Sequence, residues 1–94
     1  MTSLFKHEPD VGRFVMPEGE HEVFADYRQE ANTLLITHVE AAPALRGTGA
    51  ADRFMRELTT FAREKNVKVR PLCAYAAAWY RRHPDDTDVV ASGF

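Results

Sequence analysis

The sequence predicts a small mixed α+β fold (α/β-like in its second half), in the order β-β-β-α-β-α. Its mostly antiparallel sheet would contain one parallel βαβ unit. Three observations lead there: residues 13–40 hold three β-type runs separated by turn residues, residues 48–65 carry apolar residues at helical spacing, and residues 67–82 give a short alternating run followed by an Ala-rich one. The 94 residues fit one domain, 1–94, without repeats, low-complexity tracts or a Gly/Ser linker.

Arg13-Phe14-Val15-Met16 is an apolar-rich run closed by Pro17-Glu18-Gly19-Glu20, a turn by composition. In His21–Arg28, Val23, Ala25 and Tyr27 recur at period two, as on one face of a strand. Asn32 breaks the pattern, and Thr33–Glu40 then runs as a β-branched, mostly buried strand. From Thr48 to Lys65, Ala50, Ala51, Phe54, Met55, Leu58, Phe61 and Ala62 form one apolar stripe, with Asp52 and Arg56 spaced for an ion pair on the wet side. Asn66 suits a left-handed C-cap. Val67–Arg70 alternates like a strand, and Pro71 suits its end. Ala74–Arg82 is helical and stops at His83-Pro84, because a residue before proline avoids the helical region. Strand 33–40, helix 48–65 and strand 67–70 make a right-handed crossover, which sets the two strands parallel.

Composition excludes several classes. An apolar fraction of 45% with ten aromatics argues against disorder, and no apolar run approaches the length of a membrane helix. The N-terminal stretch lacks a basic-then-apolar signal layout, and one cysteine builds neither a disulfide framework nor a zinc cage, so a cytoplasmic protein is expected. His7 and His21 have no partner at metal-ligand spacing, and no metal is expected. The formal net charge of −2 is unevenly spread: −5 over residues 1–43, +6 over 44–83 and −3 over 84–94. Arg81-Arg82, without an aromatic stacking platform, makes a poor nucleic-acid motif.

The stretch richest in chemistry is Leu45-Arg46-Gly47-Thr48-Gly49-Ala50, a glycine-rich turn between a buried strand and an amphipathic helix. Glycines admit positive φ and close backbone approach, and a helix start presents unpaired N–H groups, a combination that favours a phosphate. No Gly-Lys pair is present, which excludes a Walker A loop, and Asp52 stands where a dinucleotide fingerprint wants its third glycine.

Arg46-Gly47-Thr48-Gly49-Ala50-Ala51 resembles the [RQ]-x-x-G-x-[GA] acyl-CoA loop of the GCN5-related N-acetyltransferase superfamily. The block Val69–Tyr75 through Trp79-Tyr80-Arg81-Arg82-His83-Pro84 is similar to its minimal single-domain YjdJ-type members. The resemblance spans most of residues 13–90. It implies a small acetyltransferase-type fold and an acetyl-CoA co-substrate, with the pyrophosphate on Arg46, Gly47, Thr48, Gly49 and Ala50. The pantetheine arm would run beside Glu40 and Ala41, and the adenosine end would lie toward Tyr80, Arg81 and Arg82. One departure stands out: Ala42 replaces the proline of the family's run after the strand histidine, which removes an expected bend.

Acetyl transfer to an amine needs a proton acceptor, oriented reactants and donors for the oxyanion. His38 and Glu40, two apart on one strand face, are candidates for base and orienting carboxylate. Cys73, before the last helix, is placed to accept the acetyl group or to line the acyl-CoA channel, and equally suits a small buried apolar residue. Tyr75 and Tyr80 are candidates for protonating the leaving thiolate or for contacting the co-substrate, and equally for core packing. The acidic N-terminal half favours a cationic amine acceptor. Two other readings stay open, an acyl-CoA-binding domain with little turnover and a protein-interaction domain; oligomeric state is not readable.

Overall fold

The computed structural model describes residues 4–91. Five strands, β1 Lys6–Glu8, β2 Arg13–Glu18, β3 His21–Glu30, β4 Thr33–Ala41 and β5 Lys68–Pro71, form one sheet in the order β1-β2-β3-β4-β5. β1 through β4 pair antiparallel, whereas β4 and β5 are parallel and joined through helix α1, Ala50–Lys65. A second helix, α2, spans Ala74–Arg82. The expected order holds from Arg13 onward, with β1 as an addition at the N-terminal side.

β1 is too short to announce itself: His7 alone turns inward, stacking on Phe14 at 4.5 Å, while its neighbours Lys6 and Glu8 are exposed. β2 runs through Pro17, where composition suggested a turn. β1 pairs no further along β2 than Val15, so Pro17 lies where β2 is already an edge and needs no N–H on that side. The hairpin turns instead at Gly19-Glu20, with Gly19 at φ +63°.

α1 starts at Ala50 rather than Thr48 because Gly47 (φ +77°) and Gly49 (φ +81°) hold the chain in the left-handed region. It buries Ala50, Phe54, Met55, Leu58 and Ala62 and ends at Asn66 (φ +57°), whose N–H donates to the Ala62 and Arg63 carbonyls. Both helices cover the same sheet face, that of Phe14, Val23, Ile36 and Val69. They are joined by hydrogen bonds from Tyr80 to Thr59 (2.8 Å) and from Trp79 Nε1 to Asp52 (2.9 Å). Among the described residues no helix lies over the other face, where Val15 stands between Lys6 and Phe24 and Leu35 between Arg28 and Arg70 on adjacent strands.

After α2, a 3-10 segment, Pro84–Val89, folds back across α1. Val89 is buried, Val90 bridges Val69, and the Ala91 N–H donates to the Val69 carbonyl along the outer margin of β5. Arg63 clasps Asp88 at 2.7 Å and Asp86 at 3.3 Å, and Lys68 Nζ donates to the Asp88 carbonyl. The acidic tail thus neutralises part of the basic segment.

Candidate functional site

β4 changes character halfway along. Tyr27 pairs with Ile36 but Asp26 pairs with His38, so Thr37 is an extra residue, a β-bulge whose hydroxyl donates to the Asp26 carbonyl. Before the bulge, Leu34 and Ile36 face the helices. After it, Val39 and Ala41 take over that face, opposite Ala25 and Val23, and His38 and Glu40 are turned to the helix-free face.

The bulge coincides with a fork. β5 leaves at Pro71, and the Ile36 carbonyl accepts from the N–H groups of Leu72 (2.9 Å) and Cys73 (3.1 Å). Beyond that point β4 continues without its parallel neighbour. The Ala42 N–H donates across to the Glu22 carbonyl on β3. By strand alternation, Val39 and Ala41 therefore aim their N–H groups into the gap that β5 vacates. The missing proline at Ala42 does not abolish the bend, because Pro43 opens a 3-10 turn, Pro43–Leu45, immediately afterwards.

On the helix-free side of the fork, His38 Nε2 lies 3.0 Å from Glu40 Oε1, with the side chains 53% and 59% exposed. An Nε2–H donated to Glu40 leaves Nδ1 as a free proton acceptor. Phe24, opposite Glu40 in register, lies 6.0 Å from the His38 ring and carries the Arg13 guanidinium at 4.1 Å.

At the open end of β4 the glycine loop leads into α1. Thr48 ties it together: its Oγ1 donates to the Leu45 carbonyl (2.6 Å) and accepts from the Ala50 N–H (3.2 Å). Arg53, which sequence reasoning passed over, braces the loop by donating to the Thr48 carbonyl (3.1 Å) and to Glu18 (2.7 Å). The first helical bond runs from the Arg53 N–H to the Gly49 carbonyl, so the Ala51 and Asp52 N–H groups precede the helical ladder and face outward with the positive end of the dipole. A Cβ on Gly47 would meet nothing within 4 Å, which marks open space above the loop. Arg46 is exposed and has no ion pair among the described residues. A helix start with outward N–H groups, an exposed arginine and open space over Gly47 thus lie beside the fork.

A profile of the GCN5-related N-acetyl-transferase family matches residues 13–89. The chain belongs to that family. The solution NMR structure of a GCN5-like protein from Staphylococcus aureus superposes with a TM-score of 0.70 at 24% identity, covering 97% of this chain and 91% of that one. That likeness carries the fold. A sequence comparison with curated proteins finds no match.

The remaining site residues of this acetyltransferase-family chain distribute unevenly. Cys73 is the N-cap of α2: its Sγ accepts from the Ala76 N–H at 3.4 Å, and its own N–H is pinned to Ile36, two residues before His38. Tyr75, on the first turn of α2, is partly buried, which pushes its phenol above the ordinary tyrosine range, with the nearby Asp52 charge adding to the rise. Arg81 and Arg82 are exposed on the last turn of α2, near the start of α1 because Trp79 bonds Asp52.

Three expectations need correction. Tyr80 offers no surface to an adenosine or a thiolate: it is 3% exposed, sits edge-on to Trp79 and bonds Thr59, and burial raises its phenol to about 12. Its place at i+4 from Ala76, on the stripe that buries α2, was a readable signal. His83 does more than end a helix: its ring stacks on Trp79 at 3.9 Å, Nδ1 meets the Trp79 carbonyl at 2.7 Å, and Nε2 approaches Asp52 at 3.6 Å. Asp52 therefore joins α1 to α2, and its carboxyl is held below the ordinary range chiefly by the Trp79 N–H and then by Arg56. Finally, the basic segment is partly spent internally, since Arg53, Arg56, Arg63 and Lys68 are bonded to Glu18, Asp52 and the Asp86–Asp88 tail. Positive charge left for a ligand near the loop rests on Arg46, Arg81, Arg82 and the helix dipole.

Proposed function

We propose that the protein is an acetyl-CoA-dependent N-acetyltransferase acting on a primary amine of cationic character. The observation that carries this reading is the bulge at Thr37 with the fork beside it, which together turn backbone donors inward and the His38–Glu40 pair outward at one level of β4. Acetyl-CoA, when bound, supplies the acetyl thioester. The residues present fit it: Gly47 leaves open space, and the helix start and Arg46 complement phosphate charge.

In this reading the backbone of Arg46, Gly47, Thr48, Gly49 and Ala50 holds the pyrophosphate. Arg81 serves the nucleotide end, and Ala41 and Glu40 border the pantetheine. Val39 and Ala41 N–H groups donate to the acyl carbonyl oxygen or the pantetheine amide, stabilising negative charge without reorganisation. His38 takes the amine proton through Nδ1, and Glu40 fixes its tautomer and balances its charge. Tyr75 and the Cys73 thiol, at the start of α2 just past the fork, are the proton donors for the departing sulfur; alternatively a Cys73 thiolate attacks the thioester, the CoA thiolate leaves, and the amine then takes the acetyl group from Cys73.

Calorimetric titration with acetyl-CoA tests the first half of the reading, and absence of binding at millimolar ligand overturns it. Steady-state acetylation of an amine panel by His38→Ala and Cys73→Ala tests the second. A loss of about 100-fold in kcat for His38→Ala is expected of a general base. Unchanged rates in both variants would leave an acyl-CoA-binding role and remove the catalytic one.

A further inference from the structure

We infer that the helix-free face of the sheet is where the acceptor docks, and that the acceptor is a polypeptide segment whose lysine lies four residues from an acidic side chain. This rests on the acetyl-transfer reading above and adds the substrate class. The first argument is one of sides. Both helices cover one face, whereas His38 and Glu40 project from the other, so the amine arrives over the face without helices. Both side chains are more than half exposed, so they lie on an open surface. Such a surface suits an amine carried by a larger molecule better than a small one that must be enclosed.

The second argument is the order of charges along that face, which the strand register fixes. At the forked end stand the carboxylates of Glu22 and Glu40, on either side of Phe24. The next row, Glu8–Arg13–Asp26–His38, holds the Arg13–Asp26 pair at 2.7 Å and one further carboxylate, Glu8. One row further, Arg28 and Arg70 flank Leu35 from the strands on either side, so two guanidiniums bracket a single position. Arg28 is only loosely held by Glu30, at 3.7 Å with both side chains about two-thirds exposed or more, and Arg70 has no ion pair among the described residues. The face is therefore net acidic toward the fork, where Lys6 stands against Glu8, Glu22 and Glu40, and basic at the Arg28–Arg70 row, beyond which Glu30 and Lys68 flank Thr33 and offset each other.

Leu35 and Glu40 lie opposite Arg28 and Phe24, four residues apart on β3 because the bulge absorbs the fifth residue of β4, a span of roughly 13 Å. An extended chain covers it in four residues, an even number that keeps both side chains on one face, placing its lysine at Glu40 and a carboxylate between Arg28 and Arg70. A linear polyamine of that length would set a second cation against the two arginines. Charge order thus favours a polypeptide of mixed charge over a polyamine.

The test uses fluorescence anisotropy of labelled peptides with the whole chain, alongside acetylation of the same peptides followed by mass spectrometry. A peptide with Glu four residues from its only Lys should bind about fivefold tighter than one with the Glu replaced by Gln or moved to five residues away, and the margin should shrink with added salt. The double variant Arg28→Glu/Arg70→Glu should erase that preference and transfer it to a peptide with Arg in place of the Glu. Its acetyl-CoA affinity by calorimetry should be unchanged. Arg70→Gln, which adds no repulsion, should give an intermediate preference. Equal binding of all peptides, a preference that survives the double variant, or faster acetylation of a linear polyamine than of the matched peptide would overturn the docking inference. Loss of acetyl-CoA binding in the unmodified chain would instead overturn the reaction class, and the separate titration tells the two failures apart.

Discussion

The two faces of this sheet are built by different physics from the same strands. The covered face is dry: Phe14, Val23, Ile36, Phe54, Leu58 and Val69 are fully buried, and its main polar link, Tyr80 to Thr59, is mutually satisfied. The helix-free face is wet and held by pairs such as Arg13–Asp26 and His38–Glu40, with 37% or more of each side chain in solvent. Among the described residues, the buried apolar side chains there are Val15 and Leu35, with Phe24 partly buried. Stability thus resides on one side, and the chemistry on the other is left free of packing duties. Because Thr37 is bulged out of the alternation, His38 and not Thr37 stands opposite Asp26 on the chemical side.

Deleting Thr37 should strain this division at its hinge. Ile36 and His38 then become neighbours and alternate as in an ordinary strand, so His38 and Glu40 stay on the helix-free face while the local twist of the bulge is lost. The fold should survive with a loss of about 1 kcal/mol for the Thr37–Asp26 bond by thermal circular dichroism, whereas acetyl-CoA affinity should fall about tenfold as the Val39 and Ala41 N–H groups are re-aimed. A deletion variant that binds acetyl-CoA as tightly as the parent would refute the role given to the bulge.

Truncating apolar residues sharpens the contrast. Ile36→Ala on the covered face should cost about 4 kcal/mol in urea unfolding, since helices on top prevent collapse of the cavity. Leu35→Ala on the other face should cost nearer 2 kcal/mol, because Arg28 and Arg70 can fold over the gap.

A third comparison concerns pH. The folded chain keeps the Tyr80 proton to about pH 12, against 10.0 for an unperturbed tyrosine, mainly because of burial. Between those values the unfolded chain releases the proton and the folded one does not, so stability falls as pH rises, by up to about 3 kcal/mol. Tyr80→Phe should lose about 1 kcal/mol at neutral pH for the Thr59 bond and show a shallower alkaline decline. An equally steep decline would mean that Tyr27 and Tyr75, both shifted upward by burial, dominate instead.

The smallest effect belongs to the wet face. Asp26→Asn should move the urea midpoint by no more than about 0.3 M, because half-exposed ion pairs add little. A larger shift would show that this face also bears structural load.

How far the sequence could disclose all this depended on range. α1 was legible because its stripe, Phe54 to Ala62, repeats locally at helical spacing, and the Asp52–Arg56 pair lies within one turn. His38 and Glu40 were legible as a pair because two residues on a strand share a face. The bulge that gives that face its meaning was not, since Thr37 is an ordinary strand residue and only the partner strand reveals the surplus. Likewise Arg63 and Asp88 are 25 positions apart, so the basic segment looked freer than it is. Tyr80 had a local signal in its helical spacing, and the functional resemblance outweighed it.

The strap that Asp86–Ala91 lays along β5 has one more consequence. A parallel edge with unspent N–H and C=O groups is a template, and any extended chain, including a misfolded sibling, can copy itself onto it. Here the Val69 carbonyl is already claimed by Ala91, and charged clasps guard the approach. A lesion in the tail would therefore show itself first as turbidity in a concentrated sample, well before any fault appeared at the fork.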